Sequence, residues 1–169
     1  MSSSIEIRRM AREDMDLVSR IFSEHNIHKP FAYMEKCWEE IQKGERVTLL
    51  AFYEGNFAGS LHLLTHSYYP PFREAGIPEI NDFNVIGPLK KRGIGNQLME
   101  AVEKIAFDLY GTVGIGVGMH IYYGPAQRLY AKRGYIPDGR GVIYQNEVVM
   151  PESKVYADND LVLYLTKDP

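Results

Sequence analysis

Cysteine is nearly missing: one residue, Cys37, stands in a chain of 169. No internal disulfide can form and no thiolate set for structural zinc exists, which fits a reducing compartment and makes Cys37 a core residue. Long apolar runs are also absent. The longest, Val47 to Tyr53, falls far below the roughly 20 residues that cross a bilayer, and Met1 to Arg9 holds no apolar signal region. A cytoplasmic protein with no membrane partner is expected. Nor is there a large charge excess: 19 Lys plus Arg against 22 Asp plus Glu leave −3. That balance is mild and of the wrong sign for neutralising phosphates along a nucleic acid, so no nucleic-acid partner is expected and any anion site must be local. Repeats and Gly/Ser- or Pro-rich linkers are missing as well, which makes residues 1–169 one expected domain. The 45% hydrophobic and 24% charged residues belong to a folded globular chain.

Ile5 and Ile7 alternate with polar residues as a first strand. Asp14 reads as the N-cap of a helix whose apolar face is Met15, Leu17, Val18, Ile21 and Phe22, ending near His25 and Asn26. A second helix is predicted from Phe31 to Lys43, after Pro30 and before Gly44. Val47 to Tyr53 and Phe57 to Thr65 form a hairpin about Glu54-Gly55-Asn56. Tyr68 to Phe72 reads as a loop, Pro78 to Val85 as a strand, Gly93 to about Leu109 as a helix, and Val113 to Met119 as a strand. Pro125 to Lys132 is a short helix before Gly134, with strands near Gly141 to Tyr144 and Leu161 to Leu165. The order is a mixed α/β (α+β) pattern.

Two glycine patterns carry chemistry. Between strand and helix lies Gly87-Pro88-Leu89-Lys90-Lys91-Arg92-Gly93-Ile94-Gly95-Asn96. Glycine lets backbone approach a ligand, and a helix start presents unpaired N–H groups with the positive end of its dipole. With Lys90, Lys91 and Arg92 this is an anion cradle suited to pyrophosphate, or else a solvated basic helix start. The dinucleotide fingerprint fails, because Leu98 stands where its third glycine belongs, and the Walker lysine-serine/threonine pair is absent. Second, Gly114, Gly116 and Gly118 recur on one face of a strand. That face provides either room for a slender ligand arm or tight packing against a neighbour.

These residues resemble the GNAT superfamily of acetyl-CoA-dependent N-acetyltransferases. The family's cofactor motif, Gln/Arg-x-x-Gly-x-Gly/Ala after a strand ending in valine, is similar to Lys90 to Gly95 with Val85 eight residues before Gly93. A later motif, Ala-x-x-Leu-Tyr-x-Lys-x-Gly-Phe/Tyr, is matched by Ala126 to Tyr135. Tyr123 stands where many members carry a cofactor-contacting asparagine. The resemblance implies a single-domain fold with a mostly antiparallel sheet, splayed fourth and fifth strands and flanking helices. It implies acetyl-CoA as cosubstrate, held by Lys90, Lys91, Arg92, Gly93, Ile94, Gly95 and Asn96, with the backbone of Phe83 toward the acetyl carbonyl and that of Val85 toward pantetheine.

Acetyl transfer to an amine needs a neutral nucleophile, donors for the developing oxyanion and a proton source for the leaving thiolate. An alkylamine of pKa about 10.4 is neutral about once in a thousand at pH 7, so a base or a suitable environment must help. Glu79 sits where some family members place a catalytic glutamate; its other reading is an exposed carboxylate at a strand start. Asp82 is its rival, on the opposite face of a regular strand from Glu79, Asn81 and Phe83 unless a bulge intervenes. His120 is a third candidate or a polar surface residue. Tyr130 resembles the family's general acid. His62 and His66 share a strand face without an evident third ligand, so no metal is expected. Tyr33, Trp38, Tyr68, Tyr69 and Phe72 either enclose an amine or form core. The reading is acetyl transfer to a primary amine of a small molecule or a protein, compatible with a homodimer; the rival is a non-catalytic acyl-CoA-binding or sensor module.

Overall fold

The computed structural model describes residues 3–169. In chain order it contains β1 (Ile5–Arg9), α1 (Met15–Glu24), α2 (Phe31–Gln42), β2 (Arg46–Tyr53), β3 (Asn56–Leu64), α3 (Pro70–Ala75), β4 (Glu79–Val85), α4 (Ile94–Tyr110), β5 (Val113–Gly118), α5 (Gly124–Lys132), β6 (Ile136–Tyr144), β7 (Glu147–Val148) and β8 (Leu161–Lys167). The mixed α/β class with mostly antiparallel strands is the expected one. Two compact units divide these elements: the chain up to Thr65 with Ile80–Ile105, and His66–Glu79 with Ala106–Pro169.

In the first unit β1 pairs antiparallel with β2, and β2 with β3. Glu54 and Gly55 both take positive φ, 50° and 81°, the backbone that lets a tight hairpin follow the twist of its strands. Between Ala51 and Phe52 the register slips, leaving Ala58 as an extra residue in β3 whose carbonyl accepts from Ile86 N–H at 2.8 Å. Helix α1 buries Met15, Val18 and Phe22, the three- and four-residue stripe read from the sequence. It closes where Asn26 turns left-handed (φ 59°), with Ile27 N–H on the Phe22 carbonyl and Asn26 N–H on that of Ser23, a Schellman stop. Asp14 does not cap α1 through its side chain. Its buried carboxylate accepts instead from Ala11 N–H at 2.7 Å and from both Arg8 guanidinium nitrogens at 2.7 and 2.8 Å. Cys37 is fully buried, as expected.

The second unit contains β5, β8, β6 and β7, paired antiparallel in that order. Its aromatic centre is Tyr69 stacked on Tyr164, centroids 3.7 Å apart, with Phe72 edge-on to both. The expected loop at Tyr68 to Phe72 is a helix from Pro70: two prolines preset the first turn, and Gly76 at φ 67° ends it. Strand β6 begins earlier than read, at Ile136, because Gly139 and Gly141 with positive φ and a register shift between Pro137 and Val142 erase the alternation.

Gly59 in β3 is fixed by β4. A Cβ there would lie 2.5 Å from the Asn84 carbonyl oxygen and 3.0 Å from the Val85 Cα, and backbone cannot rotate away as a side chain can. Gly59→Ala is expected to lower stability by about 1–3 kcal/mol, measured as a shifted urea midpoint with unchanged slope.

Candidate functional site

Strand β4 is not regular. Asp82 takes φ 51°, an uncommon conformation for a side chain with a Cβ and the kind of local break that ends strict alternation. The opposite-face argument for Asp82 therefore does not hold here. What holds Asp82 is a cluster within the first unit. The Lys29 ammonium is ion-paired with Oδ2, the Tyr33 hydroxyl donates to the same oxygen at 2.9 Å, and Asn84 Nδ2 donates to Oδ1 at 3.0 Å. His62 Nε2 lies 3.4 Å from Asp82 Oδ2, while Nδ1 lies 2.7 Å from the Thr48 hydroxyl. Burial alone would raise the Asp82 carboxyl, but the His62 hydrogen bond and the Lys29 charge and hydrogen bond outweigh it and hold the carboxyl far below its ordinary value. His62 moves the other way: burial keeps it neutral despite the nearby carboxylate. Burial and Asp82 together push the Tyr33 phenol up.

Asp82 is thus a permanent anion with its oxygens occupied, a weak proton acceptor at neutral pH. Sequence reading missed Lys29, which stands just before Pro30 in an irregular segment and belongs to no periodic face. Its carbonyl accepts from the Ser19 hydroxyl at 2.6 Å, and its ammonium lies 5.3 Å from the Phe22 ring centre and 5.4 Å from that of Tyr33, within cation–π range. His62, weighed only as a metal ligand, belongs to this network. Among the described residues no group of three His, Cys, Asp or Glu converges as a metal site.

The basic turn leads into the 17-residue helix α4. Lys91 (φ 63°) and Gly93 (φ 84°) both take left-handed backbone, and a Cβ on Gly93 would project into open space. Lys90, Lys91, Arg92 and Gly93 are all exposed, and Arg92 also donates to the Tyr53 hydroxyl at 3.2 Å. A helix start flanked by three basic residues could hold a pyrophosphate. Gly95 serves differently: a Cβ there would stand 3.2 Å from the end of the Phe83 ring, so its smallness seats α4 on β4.

In the second unit the three alternating glycines of β5 are packing positions. A Cβ on Gly114 would meet the Phe72 ring at 2.3 Å, on Gly116 Tyr164 and Val162 at 2.9 Å, and on Gly118 the Tyr123 ring at 2.3 Å. The rings fill the space offered to a ligand arm. Tyr69 and Phe72 are core there, whereas Tyr68 is exposed. Glu79 is buried, not exposed, and accepts from the Ser67 hydroxyl at 2.7 Å. His120 holds Asn159 Oδ1 at 2.7 Å near the surface. Helix α5 buries Tyr130, whose phenol burial pushes up, so it stays protonated at neutral pH. Gln127 ties α5 to the Gly118 carbonyl at 2.8 Å. The motif glycine is structural. At φ 89° Gly134 closes α5, with Tyr135 N–H on the Tyr130 carbonyl.

The family model "Acetyltransferase (GNAT) family" matches residues 12–135. The chain belongs to the GNAT acetyltransferase family. No curated protein sequence matches it. Solved structures share its fold: an N-acetyltransferase from Staphylococcus aureus Mu50, at 16% identity and TM-score 0.71 over 98% of this chain and 99% of that one; the spermidine/spermine N-acetyltransferase SpeG from Vibrio cholerae, at 13% and 0.67 over 97% and 92%; and a Salmonella typhimurium acetyl transferase that modifies the N-terminal serine of ribosomal protein L7/L12, at 11% and 0.71 over 98% and 95%. No helix among the described residues is long and apolar enough to cross a membrane.

For this GNAT chain the Asp82 cluster makes a pH prediction. A carboxyl lowered in the folded state contributes stability that is present above its unfolded value, near 3.9, and is lost as pH falls below it. Asp82→Asn strands the Lys29 ammonium, so it is expected to cost about 2–4 kcal/mol at pH 7, under the 3–5 typical of fully buried pairs. Urea unfolding at several pH values should show the gap between wild type and variant narrowing below about pH 4.

Proposed function

We propose that this acyltransferase moves acetyl from acetyl-CoA to a primary amine by direct attack. The observation that carries the reading is the basic, left-handed turn of Lys90 to Asn96 at the head of α4, inside the family match. The thioester supplies an activated acetyl group. Lys90, Lys91 and Arg92 with the N–H groups of Gly93, Ile94, Gly95 and Asn96 bind its pyrophosphate; Phe83 and Val85 offer backbone to the acetyl carbonyl and the pantetheine. In balance, a C–N bond forms as the C–S bond breaks, the amine nitrogen loses a proton and the sulfur gains one. Tyr130 donates that proton: it matches the family tyrosine, and burial keeps its phenol protonated. Glu79 receives the amine proton, directly or through water, since Asp82 is held by Lys29 and Tyr33. The full chain, 1–169, acts as one catalytic domain in a cytoplasmic setting.

Charge removal tests the turn more cleanly than crowding Gly95, which would disturb Phe83. Lys91→Gly suits the left-handed backbone while deleting one ammonium, and is expected to weaken acetyl-CoA binding about 2–5-fold by calorimetry. That range corresponds to the roughly 0.3–1 kcal/mol of an exposed charge, and should shrink at high salt. Unchanged affinity at low salt would remove the turn from the cofactor site.

Tyr130→Phe should keep cofactor affinity and lower kcat by roughly 10²–10⁴, the usual contribution of a general acid. Unchanged single-turnover rate would leave Tyr130 a packing role.

A further inference from the structure

An open cleft of about 520 Å³ in the first unit is lined by His28, Lys29, Pro30, Tyr33, Asn81 and Asp82, a volume that suits a small molecule. Its wall borders Phe83, the next residue of β4, to which the proposed reaction assigns the acetyl carbonyl. Asp82 is the one carboxylate in this wall, and it is spoken for: Oδ2 accepts from Lys29 and Tyr33, and Oδ1 from Asn84. With His62 Nε2 3.4 Å from Oδ2 as well, four groups crowd the roughly four acceptor positions of the carboxylate. The Lys29 side chain is 7% exposed against 25% for Asp82, so within this ion pair the ammonium is the charge less screened by water. Asp82 takes one of the three donors of an ammonium, so two are not committed to it.

A polyamine entering this cleft would find no uncommitted acid in the wall and would bring a second ammonium against that of Lys29. We propose that Lys29 sets the charge of the acceptor: the cleft takes a small amine bearing a carboxylate, of the amino-acid class, with the carboxylate read by Lys29 and the amine directed along β4 toward Phe83. The acceptor chemistry rests on the acetyl-transfer reading above, while the carboxylate preference of the cleft rests on the Lys29 and Asp82 geometry alone.

The test compares α-amino acids with their decarboxylated amines and with spermidine, in two readouts: calorimetry on the protein without cofactor, and thiol release with acetyl-CoA. Wild type is expected to favour each amino acid over its decarboxylated partner by about tenfold or more in Kd and in kcat/KM. Lys29→Arg should keep the preference. The double variant Lys29→Met/Asp82→Asn removes both charges without stranding either, and should bring the ratio near one with its folding checked by circular dichroism. Amino-acid binding with no thiol release would support the cleft assignment and overturn acetyl transfer. Equal or stronger binding of decarboxylated amines or spermidine, no amino-acid binding at all, or a preference that survives in the double variant would overturn the role of Lys29 whatever the enzyme's turnover.

Discussion

The contact between Lys29 and Asp82 is the constraint on which the polar cluster of the first unit depends. Taking two charges out of water costs several kcal/mol per ion, and their attraction compensates only when further hydrogen bonds satisfy the remaining donors and acceptors. Tyr33, Asn84 and His62 supply those partners. The same cluster holds Asp82 in left-handed backbone in the middle of β4, where a residue with a Cβ would otherwise relax. The bend is matched on the neighbouring strand by Gly59, which leaves room for the Asn84 carbonyl, and by the register slip that leaves Ala58 to accept from Ile86. Strand irregularity, ion pair and missing Cβ meet on the stretch of β4 from Asp82 to Val85.

Glycine plays three separate roles in this chain, and the structure distinguishes them. Gly93 supplies backbone conformation over open space, the condition for a bound anion to approach. Gly95 and Gly59 give close approach between elements of the same unit. Gly114, Gly116 and Gly118 yield to aromatic rings of the second unit. One residue type at similar spacing thus borders open space in one place and a packed core in another, and only the neighbours decide which.

Helices α1, α2, α4 and α5 and the hairpin were legible because their signals are local: the apolar stripe of α1, the turn residues Glu54-Gly55-Asn56, the glycine that ends α5; α3, a single turn and a half opened by two prolines, reads as loop. The basic turn and the Tyr130 motif were legible for the same reason, each lying in a short contiguous segment. The Asp82 cluster was not. Lys29, Tyr33, His62 and Asp82 are separated by up to 53 residues, and no periodicity links them; the left-handed backbone at Asp82 has no marker in a run of Asn81-Asp82-Phe83-Asn84. The glycine face of β5 showed that something comes close but not what, since Phe72, Tyr123 and Tyr164 reach it from distant positions. Buried Glu79 was hidden likewise, its partner Ser67 lying in a turn with no pattern of its own.

An acyl-CoA-binding module and an acetyltransferase would share the turn at α4 but not the outcome of a reaction. The most direct measurement is to incubate the protein with acetyl-CoA carrying a ¹³C-labelled acetyl group and a panel of primary amines, and to follow label and free thiol together by mass spectrometry. The account predicts an N-acetylated amine carrying the label in equal amount to the thiol released. Labelled acetyl-CoA that binds and is recovered intact, or that is hydrolysed to acetate with no labelled amine, would contradict it.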